Sequence, residues 1–134
     1  EGLKNNIPFI CANPDYESVE TNSSNNKVIC MGTLGKLYES FGGKVHLLGK
    51  PSKYIFDKAI LSLGKIKKSR TIVIGDSIAH DIKGASNFGV KSLLITSGIH
   101  KNYFLSKNLA WNNKLELYEK DIVKPNFLCK KFLF

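Results

Sequence analysis

A chain of 134 residues, 43% hydrophobic and 23% charged, has the make-up of an ordinary soluble globular domain, or of one domain with a piece of another, and room for a real core. No run approaches the ~18 apolar residues of a membrane span, and the opening "EGLKNNIPFICANPD" has none of the parts of a signal peptide. Twenty basic residues against eleven acidic ones leave a net charge of +9, which favours anionic partners, either phosphorylated metabolites or nucleic acid.

The cysteines Cys11, Cys30 and Cys129 are scattered without a CxxC spacing, and His46, His80 and His100 are equally dispersed. That argues against a disulfide scaffold or a metal site built on His and Cys, and for a reduced, cytoplasmic setting. The basic residues are spread as well. Their densest group, "KIKKSR" (65–70), falls between a helix and a strand and reads as a solvated loop. No interleaving of basic and aromatic residues accompanies the charge, which argues against nucleic acid.

In chain order, the apolar run "IPFIC" (7–11) meets a turn, "ANPD", and then a polar Asn- and Ser-rich loop over 16–27. Leu34, Leu37, Tyr38 and Phe41 recur at helical spacing, so they predict a helix from Gly32 to Phe41 with these residues inward and Gly42-Gly43 stopping it. "KVHLL" (44–48) predicts a strand ending at Gly49. Ser52 is a candidate cap for a helix with Phe56, Ala59, Ile60 and Leu63 inward, closed by Gly64. "TIVIG" (71–75) is apolar at successive positions, which predicts a strand covered on both faces. Ile78, Ile82 and Ala85 form a helix stripe ending near Gly89. A strand at 90–96, a helix around 113–120 and a last strand near 127–132 complete the pattern.

From residue 44 this alternation predicts an α/β fold: a Rossmann-like parallel sheet with helices on both faces. Ligands in such folds bind at the carboxyl ends of the strands. Gly49-Lys50, Gly75-Asp76 and Thr96-Ser97 each stand at such an end. Asp76 opens a helix and Asp81 follows a little over one turn later. Two carboxylates so close repel unless a cation shares their charge, and magnesium takes one or two carboxylates with waters and phosphate oxygens. Lys50 would add an ammonium for phosphate. Taken singly, each residue has a plainer reading: Asp76 as a helix cap, Asp81 as a first-turn acid answering the helix dipole, Lys50 as a solvated lysine. "GKVHLLGKP" is not a P-loop, because five residues, not four, separate Gly43 from Gly49 and proline follows the lysine. No G-x-G-x-x-G or nucleophile-elbow motif is present.

"GKP" (49–51) and "VIGDSIAHDIKGA" (73–85) resemble the third and fourth motifs of the haloacid dehalogenase (HAD) superfamily of phosphohydrolases. "ANPD" (12–15), a Gly-rich helix and "GKPS", in that order, resemble its class IIA, nagD-like branch. The resemblance implies a Mg2+-dependent phosphatase of a small phosphorylated metabolite. It implies Asp76 as metal ligand, and Asp81 as the acid that helps hold the site through a metal-bound water or Lys50. Lys50 would steady the nucleophile and the transferring phosphoryl group, Ser77 would add a contact at the helix start, and Asn13 and Asp15 would face the leaving group. Residues 1–44 would be the end of an α/β cap and 45–134 the second half of the catalytic core.

The family's nucleophile is the first aspartate of a D-x-D motif. Here the aspartates are Asp15, Asp57, Asp76, Asp81 and Asp121, no two of them one residue apart. The expectation is therefore a C-terminal portion whose nucleophile comes from a preceding segment, with an N-terminal half or a second copy of the chain as its partner. The alternative is a vestigial module that keeps a phosphate and metal pocket without chemistry. The strand at 71–75 would then be left as an unpaired, apolar edge.

Overall fold

The apolar run at 7–11 supplies strand β1, Phe9–Cys11, and "KVHLL" supplies β2, Val45–Leu47. They pair in parallel, Phe9 beside Val45 and Cys11 beside Leu47, with helix α1, Met31–Ser40, in the crossover between them. The computed structural model describes residues 1–16, 29–64, 66–105 and 123–132, and the chain divides into two compact units, Glu1–Ile55 and Phe56–Phe134. Part of the expected 16–27 loop and the expected 113–120 helix lie outside the described residues.

The first unit is this β1–α1–β2 arrangement. The helix is where the periodicity predicts it, but its packed face is not the Leu34, Leu37 and Phe41 stripe, all three of which are exposed. The buried residues of α1 are Gly32 and Gly35. A side chain at Gly32 would run into the backbone carbonyls of Pro14 and Asp15, and Gly35 lies directly over Val45 and Phe9. Missing side chains thus let the helix axis approach the strands more closely than a leucine face would, and Tyr38 fills the flank with its ring 5.8 Å from that of Phe9. Gly32 N–H also donates to Asp15 O at 3.1 Å. Gly42, with φ of 84°, ends the helix as expected, and Gly43 N–H returns to Tyr38 O.

The second unit holds a parallel sheet in the order β3 (Ile72–Gly75), β4 (Lys91–Ile95), β5 (Phe127–Cys129). Between β3 and β4 come a π-helical turn, Ile78–Ile82, and helix α3, Lys83–Phe88, closed by Gly89 at φ of 80°. Helix α4, Lys101–Leu105, follows β4, and α2, Lys53–Ser62, runs across the division between the units. Leu94 and Leu128 share one sheet face, where they pack with Ile78, Ile82, Phe104, Tyr103 and Val123 into the core. The predicted stripe Ile78, Ile82, Ala85 is buried throughout.

Two predictions about coverage are corrected. β3 pairs only with β4 among the described strands, and Ile72 and Ile74 are 43% and 42% exposed rather than covered on both faces. Their face of the sheet continues through Leu93 to Phe127, which is also exposed. Helix α2 buries none of its residues: Phe56 and Ile60 are half-buried while Ala59 and Leu63 are exposed. Phe56 stacks on Phe88 at 5.6 Å. In the basic stretch 65–70, Lys68 departs from a freely solvated reading, because its Nζ donates to Phe88 O at 2.9 Å and sits over the Phe88 ring.

Candidate active site

The turn from β3 into the π-helix is built around Ser77, whose backbone is still extended at φ −103° and ψ 117°. Its hydroxyl accepts the His80 N–H at 3.2 Å, so Ser77 rather than Asp76 is the helix cap. Ser77 O accepts two amides, Asp81 N–H at 2.9 Å and Ile82 N–H at 3.1 Å; the second, five residues on, widens the first turn. Asp81 lies under this turn. It is only 6% exposed, and its Oδ2 accepts the Ser77 N–H at 3.1 Å. That satisfies a buried donor which a helix start otherwise leaves orphaned. Asp81 needs Gly75 beneath it, since a Cβ there would overlap its Cβ, Cγ and Oδ2.

Asp76, not needed as a cap, turns toward the end of the neighbouring strand. Its Oδ2 accepts the Ile99 N–H at 3.1 Å, and Gly98 leaves the space in which the carboxylate lies. His100 closes the same corner by accepting the Ile78 N–H on Nε2 at 3.2 Å. A lone pair at Nε2 puts the proton of a neutral ring on Nδ1. Burial lowers the His100 pKa below its ordinary 6.5, with the Asp76 charge acting in the opposite direction. The structure thus brings Asp76, Ser77 and Asp81 together at the carboxyl ends of β3 and β4. It adds Gly98 and His100, which no sequence motif singled out.

The first unit has its own strand-end cluster. Leu48 N–H donates to Cys11 O at 2.9 Å, extending the β1–β2 pairing to the point where both chains turn. Gly49 is buried against Ala12 O and the Pro14 ring, where no side chain would fit. The "ANPD" and "GKP" stretches, 36 or so positions apart in sequence by the β1–β2 register, therefore pack as one feature. Asn13 and Lys50 are exposed and Asp15 is half-buried there. Lys50 precedes Pro51 through a cis peptide bond. Lys50 belongs to the first unit, Asp76 and Asp81 to the second.

No group of three His, Cys, Asp or Glu side chains gathers into a metal cage among the described residues. The donor that fits a cation is the Asp76 carboxylate, whose Oδ1 is not the atom engaged by Ile99. A single carboxylate supplemented by water and phosphate oxygens suits magnesium, which dehydrates reluctantly and seldom needs an all-protein cage. Asp81, committed through Oδ2 to Ser77, fits better as the brace of the turn than as a second direct ligand.

Residues 47–129 match the HAD-hydrolase-like family. Glycerol-3-phosphate phosphatase of Gallus gallus is 32% identical over 101 residues, which cover 69% of this chain and 32% of that protein. Ribonucleotide monophosphatase NagD of Escherichia coli K12 is 27% identical over 97 residues, 72% of this chain and 36% of that one. Among solved structures, a haloacid dehalogenase-like hydrolase from Brucella suis 1330 superposes with a TM-score of 0.61 at 36% identity, over 74% of this chain and 39% of that one. The p-nitrophenyl phosphatase of Archaeoglobus fulgidus covers 96% of this chain with a TM-score of 0.66 at 23% identity, a likeness of fold. The chain spans about a third of the length of these two curated relatives.

Proposed function

The chain belongs to the HAD-hydrolase-like family, and on that premise we propose that it forms part of a Mg2+-dependent hydrolase of phosphate monoesters of small metabolites. The observation that carries this reading is the arrangement around Asp76: a carboxylate at a strand end, held by Ile99 N–H, beside a buried Asp81 that braces the following turn. Bound Mg2+ would supply positive charge for the phosphoryl oxygens, with Asp76 as its ligand. Asp81 keeps the turn, and with it Asp76, in place. Lys50 would supply an ammonium for the phosphoryl group, and the Ser77 backbone turn would add a polar contact. Asn13 and Asp15 are assigned to the leaving group on the family resemblance of the "ANPD" turn.

Phosphoryl transfer is mostly positioning and charge stabilisation, but it still needs an attacking oxygen. We assign that role to an aspartate of a preceding N-terminal segment. Its carboxylate oxygen bonds to phosphorus as the P–O ester bond breaks, the leaving oxygen taking a proton from the second aspartate of the same D-x-D motif. Water, giving its proton back to that second aspartate, then cleaves the acyl phosphate to free phosphate and the restored carboxylate. The spacing of the aspartates in this chain, none of them in a D-x-D pair, supports the assignment. The same fact favours a second reading, a module that binds phosphate and metal without turnover.

The deciding assay uses p-nitrophenyl phosphate with and without Mg2+. The chain alone should give no turnover. Mixed with the D-x-D-bearing N-terminal segment of a family member, it should give Mg2+-dependent turnover that Asp76→Asn abolishes. Magnesium-dependent turnover from the chain alone would overturn the assignment of the nucleophile. Silence in both arms, with Mg2+ still bound, would favour the second reading.

A further inference from the structure

We propose that His100 is a positioning residue of this site, which sets the orientation of the Asp76 carboxylate by tying the loop after β4 to the start of the π-helical turn. Two hydrogen bonds run between these segments in opposite directions. Ile78 N–H donates to His100 Nε2 at 3.2 Å, and Ile99 N–H donates to Asp76 Oδ2 at 3.1 Å. They involve consecutive residues of one loop and residues two apart on the other, so they close a small ring of backbone and side chains. Within it, His100 helps keep the loop against Ile78, where Ile99 N–H meets Oδ2.

Gly98 makes the approach possible, because any side chain there would occupy the position of the Asp76 carboxylate. His100 is half-buried, and Ile78, whose amide it accepts, is a core residue. The anchoring end of the bridge is therefore fixed and the carboxylate is the part being held. Loss of an outer group that orients a metal ligand typically costs roughly 10–100-fold in metal affinity. The orientation of Asp76 stands on the geometry alone. Its consequence for Mg2+ rests on the proposed function.

The test uses three variants of the full chain. In His100→Gln, Oε1 reaches about as far as Nε2 and can accept the Ile78 N–H; in His100→Asn the acceptor falls short, and in His100→Ala it is gone. The first readout is hydrogen exchange of the Ile99 amide, alongside the 15N–15N coupling across the Ile78–His100 bond in the parent chain. The second is Mg2+ affinity from amide shifts. Alanine and asparagine should speed Ile99 exchange and weaken Mg2+ binding, each by about 10-fold, while glutamine restores both to within about 3-fold.

Unchanged Ile99 exchange in the alanine variant, or glutamine no better than asparagine, overturns the proposal. If Ile99 responds as expected but even the parent chain takes up no Mg2+, the positioning role stands and the metal reading falls. If all four proteins bind Mg2+ equally, the metal reading stands and the positioning role falls.

Discussion

Substituting Gly75 by alanine tests whether Asp81 is held as rigidly as the geometry requires. The new methyl group would overlap Asp81 Cβ and Cγ, atoms too near the backbone to swing aside. Asp81 is buried and its Oδ2 holds the Ser77 N–H, so displacing it also orphans that donor. Overpacking costs about 1–3 kcal/mol and an unsatisfied buried N–H about 1–3 kcal/mol. Together a loss of about 3 kcal/mol is expected. With a urea slope near 2 kcal/mol/M, the midpoint followed at the Leu94 amide should fall by about 1.5 M.

Gly42→Ala supplies the contrast. Nothing lies within 4 Å of a Cβ at Gly42, and only its φ of 84° resists the substitution. The cost there is about 1 kcal/mol, read at Val45 in the first unit as a shift of about 0.5 M. A Gly75→Ala variant that loses less than about 1 kcal/mol would refute the claim that Asp81 is locked under the turn.

Three further outcomes follow from the same structure. Asp81→Asn keeps an acceptor for Ser77 N–H and should cost less than about 1 kcal/mol, whereas Asp81→Ala should cost about 2 kcal/mol by urea denaturation; equal losses would show that the charge, not the hydrogen bond, matters. His100 has a folded-state pKa below 6.5, so the unfolded chain binds the extra proton first and stability declines as pH falls from about 6.5 toward the folded value. Urea midpoints measured across that window should show the decline, and His100→Gln should remove its share of it. The β3 edge, unpaired among the described strands, and the exposed Ile72 and Ile74 beside it should drive self-association; Ile74→Lys should reduce the apparent mass by light scattering, and an unchanged mass would refute this contact.

Much of the site could be read because its spacing is local. Gly75, Asp76 and Asp81 sit within seven positions, and the change from strand to helix that gives them meaning is written in the apolar pattern around them. Gly98 and His100 were not legible in the same way. Their partners, Asp76 and Ile78, lie 22 positions away and are reached only once β3 and β4 pair. A glycine after a strand and a histidine before a helix carry no mark of that meeting.

Helix α1 misled for a different reason. Periodicity detects where apolar side chains recur, and it is blind to a face that packs by having none. Strand β3 shows the converse limit. Three apolar side chains in succession, Ile72 to Ile74, tell that a strand wants cover on both faces, but not whether the described part of the chain provides it.

The bond from Gly32 N–H to Asp15 O pins two points of the first unit that are 17 positions apart in sequence. The end of the "ANPD" turn and the first turn of the helix behind it are thus fastened to each other backbone to backbone, at the helix position where a side chain would run into Pro14 and Asp15. A mutation that disturbs either partner is therefore felt by both.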